Sequence, residues 1–358
     1  MKDLASVYAG KTVLVTGHTG FKGSWLSIWL HELGAKVVGY ALDPENEFDN
    51  FNCANVSEKI IDIRGDILDT EKLNTVFEQY QPDFVFHLAA QPLVLESYQN
   101  PVYTFQTNLM GTIHVLEGIR KVDKKCIGIM ITTDKVYENH EEYHAFKESD
   151  AFGGHDPYSA SKATCEIAIS SYRRSFMNPH NYDEHHKAIA SVRAGNVIGG
   201  GDWAANRIVP DCIRAIEKGE PIVLRNPQAV RPWELVLEPL FGYLTLGALL
   251  SENPVLFAKG YNFGPKEAAI RTVGDLALAL TSVLGGSIVY VENSKKPHEA
   301  NLLMLNVDLV KEELGWESVL SFEETLDFVS QWYQKYRNED GYQLCIDQIN
   351  AYMEKVQK

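Results

Sequence analysis

Tyr158 and Lys162 stand four residues apart in the run Tyr158-Ser159-Ala160-Ser161-Lys162. In a helix that spacing puts the phenol and the ammonium on one face. A phenol with a pKa of ~10 is a poor base at neutral pH. A neighbouring ammonium and a second positive charge would stabilise the phenolate and bring that value down. Tyr158 could then remove the proton from a hydroxyl whose carbon gives up hydride. Taken alone, a Tyr-x-x-x-Lys run is a common accident, so the pattern gains meaning only from its surroundings.

A second group precedes it. The apolar run 127–131 leads into Thr132-Thr133-Asp134-Lys135-Val136-Tyr137. Thr133 is the hydroxyl expected to share the substrate oxygen with Tyr158. A simple dehydrogenase needs no further acid and base beside that hydroxyl, whereas an enzyme that eliminates water does. Asp134 and Lys135 could fill those two roles. The alternative is a solvated turn.

A third group lies near the start. Residues 12–15 form an apolar strand pattern that runs into Gly17, Gly20 and Gly23 at the head of a helical segment. Gly17 permits a tight turn, Gly20 lets backbone approach a pyrophosphate, and Gly23 lets helix and strand pack closely. The helix N-terminus offers free N–H donors to the phosphates. The positive ring of a bound nicotinamide dinucleotide is then the second charge that Tyr158 requires. Asp43, just past the second strand, stands roughly where a carboxylate takes the ribose 2′-OH, although Ala41 holds the more usual strand-end position. The next Arg is Arg64, which favours NAD over NADP. Asp66 and Ile67 follow the third strand, where a carboxylate can take the adenine amino group. The alternative for Asp66 is a helix cap before Thr70.

These groups need elements to position them. Strand patterns at 12–15, 36–40, 59–63, 84–87, 127–131 and 189–192 alternate with helical patterns at 22–33, 70–80, 103–121 and 157–176. Such alternation predicts right-handed crossovers and a parallel sheet covered on both faces. The expected class is α/β, a Rossmann-type doubly wound parallel sheet with a smaller C-terminal substrate-binding lobe. Residues 1–195 form the dinucleotide domain and carry the catalytic groups. Residues 196–358, richer at first in Gly, Pro and Asn, mainly form the lobe, with some segments returning to the first domain. Helices are expected at 273–284, 308–314, 322–336 and 342–356.

The bulk properties agree. The 358 residues are 45% hydrophobic and 23% charged, an ordinary globular balance. A net charge of −15 argues against nucleic acid or an anionic membrane as partner. Five scattered cysteines without a Cys-x-x-Cys pair read as reduced thiols, with no zinc site. The first residues carry no signal-peptide apolar region, and the apolar stretch 240–250 is too short and Gly-interrupted to span a bilayer, so a cytoplasmic location is expected.

Several motifs, TGHTGFKG at 16–23, HLAAQP at 87–92, TNLMGT at 107–112, TTDKVY at 132–137 and YSASK at 158–162, resemble the extended short-chain dehydrogenases in order and spacing. RAGNVIGGGDWAANRIVPDCIRA at 193–215, RNPQAVRPWELVLEPL at 225–240 and HEANLLMLNVDLVKEELGW at 298–316 resemble the CDP-glucose 4,6-dehydratases more specifically. The resemblance covers nearly the whole chain. It implies that Thr19, Phe21, Lys22, Leu88, Ala89, Ala90 and Asn108, with Tyr158 and Lys162, line a site for NAD. It implies that Gln91, Asn196, Arg207, Arg231 and His298 border the nucleotide sugar, with Glu299 beside them. Asp134 would protonate a departing O6. Lys135, where the dTDP-glucose enzymes carry Glu, would act as base at C5 or polarise the site. The chain departs from the family after Arg231-Pro232-Trp233, reading Glu234-Leu235 in place of Gln-His. By the same resemblance the substrate is CDP-glucose, the chain forms a homodimer or larger homo-oligomer, and the product feeds deoxysugar synthesis for lipopolysaccharide O-antigen. A sugar-nucleotide 4-epimerase, which needs the Tyr and Lys but no elimination pair, is the near alternative. A non-catalytic NAD-sensing scaffold is the distant one.

Overall fold

A computed structural model of the chain describes residues 3–140, 142–266, 270–291 and 303–357. Seven strands form one sheet. From edge to edge they are Gly260–Phe263, Lys187–Ala194, Cys126–Ile131, Phe84–His87, Thr12–Thr16, Lys36–Ala41 and Ile61–Arg64. Every neighbouring pair is parallel. The strands Phe84–His87, Cys126–Ile131 and Lys187–Ala194 are buried along their whole length, as expected for strands with helices on both faces. The order reverses between Thr12–Thr16 and Phe84–His87. The first three strands run to one edge and the fourth returns to the other side of the first. That reversal opens a crevice at the carboxyl ends of the strands, where such sheets bind ligands.

All six expected strands match within two residues at each end. The seventh strand, Gly260–Phe263, was not anticipated, and it comes from the second half of the chain. A further unanticipated element is the helix Leu237–Glu252, most of which is buried. It packs against the strands Cys126–Ile131 and Lys187–Ala194. Its near-uniform apolar surface marks a buried helix without a solvent face. The helix expected at 103–121 is interrupted. Pro101–Phe105 and Gly111–Lys121 are α-helical, and a π turn, Gln106–Met110, joins them. Short π segments occur often at functional sites.

In the lobe, Asn196–Ile198, Val230–Leu235 and Ile270–Thr272 form a three-stranded sheet. The C-terminal helix Gly341–Val356 packs back onto Phe21–Glu32, the helix that follows the glycine turn. One continuous core joins residues of both halves. Among the described residues no helix is long and apolar enough to cross a membrane.

Candidate active site

The glycine turn lies at the sheet's reversal. Gly17 has φ +77°, and a Cβ there would come within 2.7 Å of the Ala89 backbone nitrogen. A Cβ on Gly23 would approach the Gly17 carbonyl oxygen to 2.0 Å, so helix and turn meet only through glycine. Gly20 is different, since its nearest neighbour would be the Gly17 oxygen at 3.4 Å. No side chain caps the helix Phe21–Glu32 at Gly20, so its first N–H groups remain available to an anion. Leu88 and Ala89 flank the turn through the Thr16 backbone oxygen and hydroxyl, and Ala90 follows them, half-buried. Thr19 donates to the Leu42 carbonyl at 3.0 Å. These features fit a dinucleotide pyrophosphate.

At the far end, Asp43 is 87% exposed and Arg64 lies 3.8 Å from its carboxylate. Arg64 is distant in sequence, but the parallel pairing of the second and third strands brings it across Ala41. Its guanidinium also binds Asp62 at 2.8 Å, and Asp62 accepts or shares a proton with the buried His18. Asp66 does not cap the following helix; Asp69 does, through the Lys72 N–H at 3.0 Å. Asp66 instead accepts from the Leu68 N–H, and Ile67 is buried beside Gly111.

The helix Pro157–Ser175 starts at Asp156, which accepts the Ser159 N–H at 2.9 Å, with Pro157 in the first turn. Its first face carries Tyr158 and Lys162, both buried. The Lys162 ammonium donates to the Ile131 carbonyl at 3.3 Å. Burial pushes the Tyr158 phenol up to about 12, while hydrogen bonding by Thr133 and the charge of Arg207 act to lower it. Burial thus opposes the phenolate, and the nicotinamide charge that the sequence reading invokes would have to act in its favour.

Thr133 heads a short turn, Asp134–Val136. Its hydroxyl donates to Asp134 Oδ1 at 2.9 Å, and Lys135 Nζ lies 3.7 Å from the same oxygen. Asp134 is 1% exposed, so the turn is buried rather than solvated. Thr133, Asp134, Lys135, Tyr158 and Lys162 are thus gathered at the carboxyl end of the strand Cys126–Ile131.

Beneath them lies a network that sequence reasoning missed. Glu166, one turn after Lys162, accepts from Arg193 at 2.8 and 2.9 Å, from Ser191 at 2.7 Å and from Thr132 at 2.5 Å. Burial pushes its carboxyl up, but these partners outweigh burial and hold it below the usual range. Arg193 also donates to the Tyr137 hydroxyl, which in turn donates to Asn262. At the π turn, the Asn108 amide accepts the Gln91 N–H at 2.8 Å and donates to Ser161 at 2.8 Å. Gln91 donates to Thr104 at 2.8 Å. Both side chains were expected at the ligands; Asn108 ties the loop after the fourth strand to the catalytic helix, and Gln91 ties it to the helix Pro101–Phe105.

The lobe adds a contrasting cluster. Glu234 is 1% exposed, and neither carboxylate oxygen has a hydrogen-bond partner among the described residues. The same holds for Asp134 Oδ2 and the Tyr243 hydroxyl. Burial pushes the Glu234 carboxyl well above the usual range, with Glu238 and Asp134 adding and Lys22 opposing. Burial also pulls the Lys22 ammonium down to about 8, and the charges of Glu234, Arg207, Asp134 and Lys162 all reach it. Lys22 therefore belongs to the seam between glycine turn and catalytic turn. The only sequence signal for Glu234 was its departure from the family pattern. Arg207 pairs with Asp202 at 2.9 Å. Asn196 stands opposite Trp233 in the lobe sheet, and Arg231 donates to the Val230 carbonyl. His298 and Glu299 lie outside the described residues.

Comparison with known proteins adds to this geometry. Residues 14–328 match the family model described as GDP-mannose 4,6 dehydratase. A CDP-glucose 4,6-dehydratase of Salmonella typhimurium is 42% identical over 348 residues, which cover 97% of each chain. Among solved structures, an epimerase of Methanothermobacter thermautotrophicus superposes with a TM-score of 0.79 at 24% identity, covering 96% of this chain and 97% of that one. A dTDP-glucose 4,6-dehydratase of Bacillus anthracis in complex with NAD superposes with a TM-score of 0.74 at 21% identity, covering 94% and 100%. These two structures share the fold.

Proposed function

The chain belongs to the GDP-mannose 4,6 dehydratase family, and from that membership we propose that it is a lyase converting CDP-glucose to CDP-4-keto-6-deoxyglucose with NAD as cofactor. One observation carries the elimination step: an acid, Asp134, buried and hydrogen-bonded to the hydroxyl that serves the oxidation base. A 4-epimerase has no use for that acid.

The chemistry that bound NAD supplies is storage of the C4 hydride, for return to C6, and a positive ring beside the phenol. Tyr158 takes the proton of the sugar O4, with Thr133 sharing that oxygen. Lys162, fixed on the Ile131 carbonyl, adds its positive charge to the phenolate's surroundings. A ketone at C4 makes the C5 proton acidic. Lys135 takes that proton and later returns it, while Asp134 protonates O6 and water leaves C6. Asn196, Arg207 and Arg231 hold the nucleotide diphosphate, the Arg forks matching phosphate oxygens.

Two readings accompany this one. The helices Pro101–Phe105 and Pro157–Ser175 and the π turn Gln106–Met110 leave Val102, Ile167 and Met110 at 69%, 57% and 41% exposure, which supports a homodimer built on these elements. The dehydratase relatives support a cytoplasmic role in deoxysugar synthesis for surface polysaccharide.

The test is a panel of CDP-, dTDP-, UDP- and GDP-glucose, assayed by the ultraviolet absorbance that a 4-keto sugar develops in alkali. CDP-glucose is expected to give the strongest signal. An epimeric hexose without absorbance would overturn dehydration, and a preference for another nucleotide would overturn the substrate assignment alone.

A further inference from the structure

The reaction proposed above leaves one proton misplaced in every cycle, and the structure holds a route for its return. O4 gives its proton to the Tyr158 phenolate, and C4 gives its hydride. C5 loses a proton and regains one at the same carbon. O6 leaves as water with a proton taken from the Asp134 carboxyl. At the end Tyr158 holds one proton more than at the start and Asp134 one fewer. The substrate has balanced, but the enzyme has not.

Asp134 is closed to water at 1% exposure, and Tyr158 is 8% exposed. Asp134 Oδ2 has no hydrogen-bond partner among the described residues, so its bonded link runs through Oδ1. That link is the Thr133 hydroxyl, which donates to Oδ1 at 2.9 Å. The helix that carries Tyr158 packs on this turn, and the Thr133 hydroxyl acts on the phenol as a hydrogen-bonding group that draws its pKa down. The Lys135 N–H points to Thr133 Oγ1 at 3.4 Å, which leaves the hydroxyl's own hydrogen directed at Asp134. Lys135 Nζ, at 3.7 Å from Oδ1, is beyond a hydrogen bond.

We propose that Thr133 is a proton relay that carries the proton won from O4 back to the acid that serves O6. The proposal rests on the dehydratase reading. In the relay, the Tyr158 O–H bond breaks as a new O–H bond forms on Thr133. The hydrogen that Thr133 held breaks away and forms an O–H bond with Asp134 Oδ1. Tyr158 ends as phenolate and Asp134 as carboxylic acid, which is the starting state. No oxidant or further acid enters. The acid and base of this chain are thus two ends of one hydrogen-bonded line, reset without exchange with bulk water.

The test separates the first turnover from those that follow, using the NAD-loaded enzyme, CDP-glucose and rapid quenching. Thr133→Val is expected to form one equivalent of keto sugar per site and then to slow by ~10²-fold, the size of a lost proton-transfer contribution. Thr133→Ser keeps a hydroxyl and is expected to show one rate throughout. Thr133→Ala, with room for a water in place of the hydroxyl, is expected to fall between them. Loss of the O4 contact slows every turnover alike and cannot create a burst. A Thr133→Val enzyme running at one rate from its first equivalent would overturn the relay. Wild-type enzyme that makes no keto sugar from any nucleotide sugar would remove the dehydratase reading and the relay with it. A second readout needs no turnover. The carbon-13 carboxyl resonance of Asp134, identified by its loss in Asp134→Asn, is expected to move on Tyr158→Phe in the wild-type background and to stay still in Thr133→Val. Equal movement in both backgrounds would overturn the relay.

Discussion

Two buried polar regions lie on either side of the catalytic turn, and they are built in opposite ways. Behind it, Glu166 satisfies its carboxylate with Arg193, Ser191 and Thr132. Ahead of it, Glu234 is equally buried, yet both its oxygens lack partners, as do Asp134 Oδ2 and the Tyr243 hydroxyl. A buried polar atom without a bond is costly, so a folded chain normally avoids it. The contrast separates scaffold from workplace. The rear network fixes the rotation of the helix that bears Tyr158 and Lys162. The front cluster holds Asp134, whose protonation changes in the proposed reaction, together with Glu234 and the Tyr243 hydroxyl, buried without a bond among the described residues.

That division can be broken or sharpened by substitution. The largest effect is expected at the boundary: Tyr158→Phe should lower kcat by ~10⁴-fold, the upper range for an acid–base group. Its unfolding free energy should move by less than ~1 kcal/mol, read from the urea midpoint. Near-normal turnover would take Tyr158 out of its role. Behind the turn, Glu166→Ala strands a buried guanidinium and should cost about 3–5 kcal/mol of stability. A cost under ~1 kcal/mol would mean that the rear network is not the scaffold.

Glu238 lies between the two types. It accepts from Ser318, Val319, Leu320 and Tyr352, yet burial still raises its carboxyl to about 7 from the usual 4.5. The folded chain therefore binds this proton more tightly than the unfolded chain does. Stability from this group is complete below pH ~4.5 and is lost as pH rises towards ~7, by about 3 kcal/mol in all. Denaturation across that range should show the decline in the wild type and a flatter profile in Glu238→Gln. A wild-type stability that climbs through the same window, with the same climb in Glu238→Gln, would contradict it. The smallest effect is expected in front. Glu234→Gln removes no hydrogen bond and relieves a buried acid, so stability at pH 8 should hold within ~1 kcal/mol or rise. A loss above ~2 kcal/mol would reveal a partner and erase the contrast.

The catalytic turn and the head of its helix were more legible in the sequence than the network behind them. Tyr158, Lys162, Thr133 and Asp134 are close to strand ends that the hydrophobic runs mark clearly, so local patterns bring them together. The glycine spacing at Gly17, Gly20 and Gly23 has a local steric cause and reads just as well. The Glu166 network does not, because its partners are separated by 25 to 34 residues, and Tyr137 meets Asn262 across 125. The strand Gly260–Phe263 was hidden by its brevity and by flanking Gly and Pro. The helix Leu237–Glu252 was hidden by having no polar face to set a period. The π turn at Gln106–Met110 escaped because a continuous apolar periodicity runs through it.

The late origin of the outermost strand bears on how the chain is made. Lys187–Ala194 is complete long before Gly260–Phe263 leaves the ribosome, and until then one side of it has bare N–H and C=O groups. An open strand edge of that kind templates association with other chains. Synthesis that stalls between the two strands should yield sticky fragments, so smooth elongation through this interval protects the yield of folded enzyme.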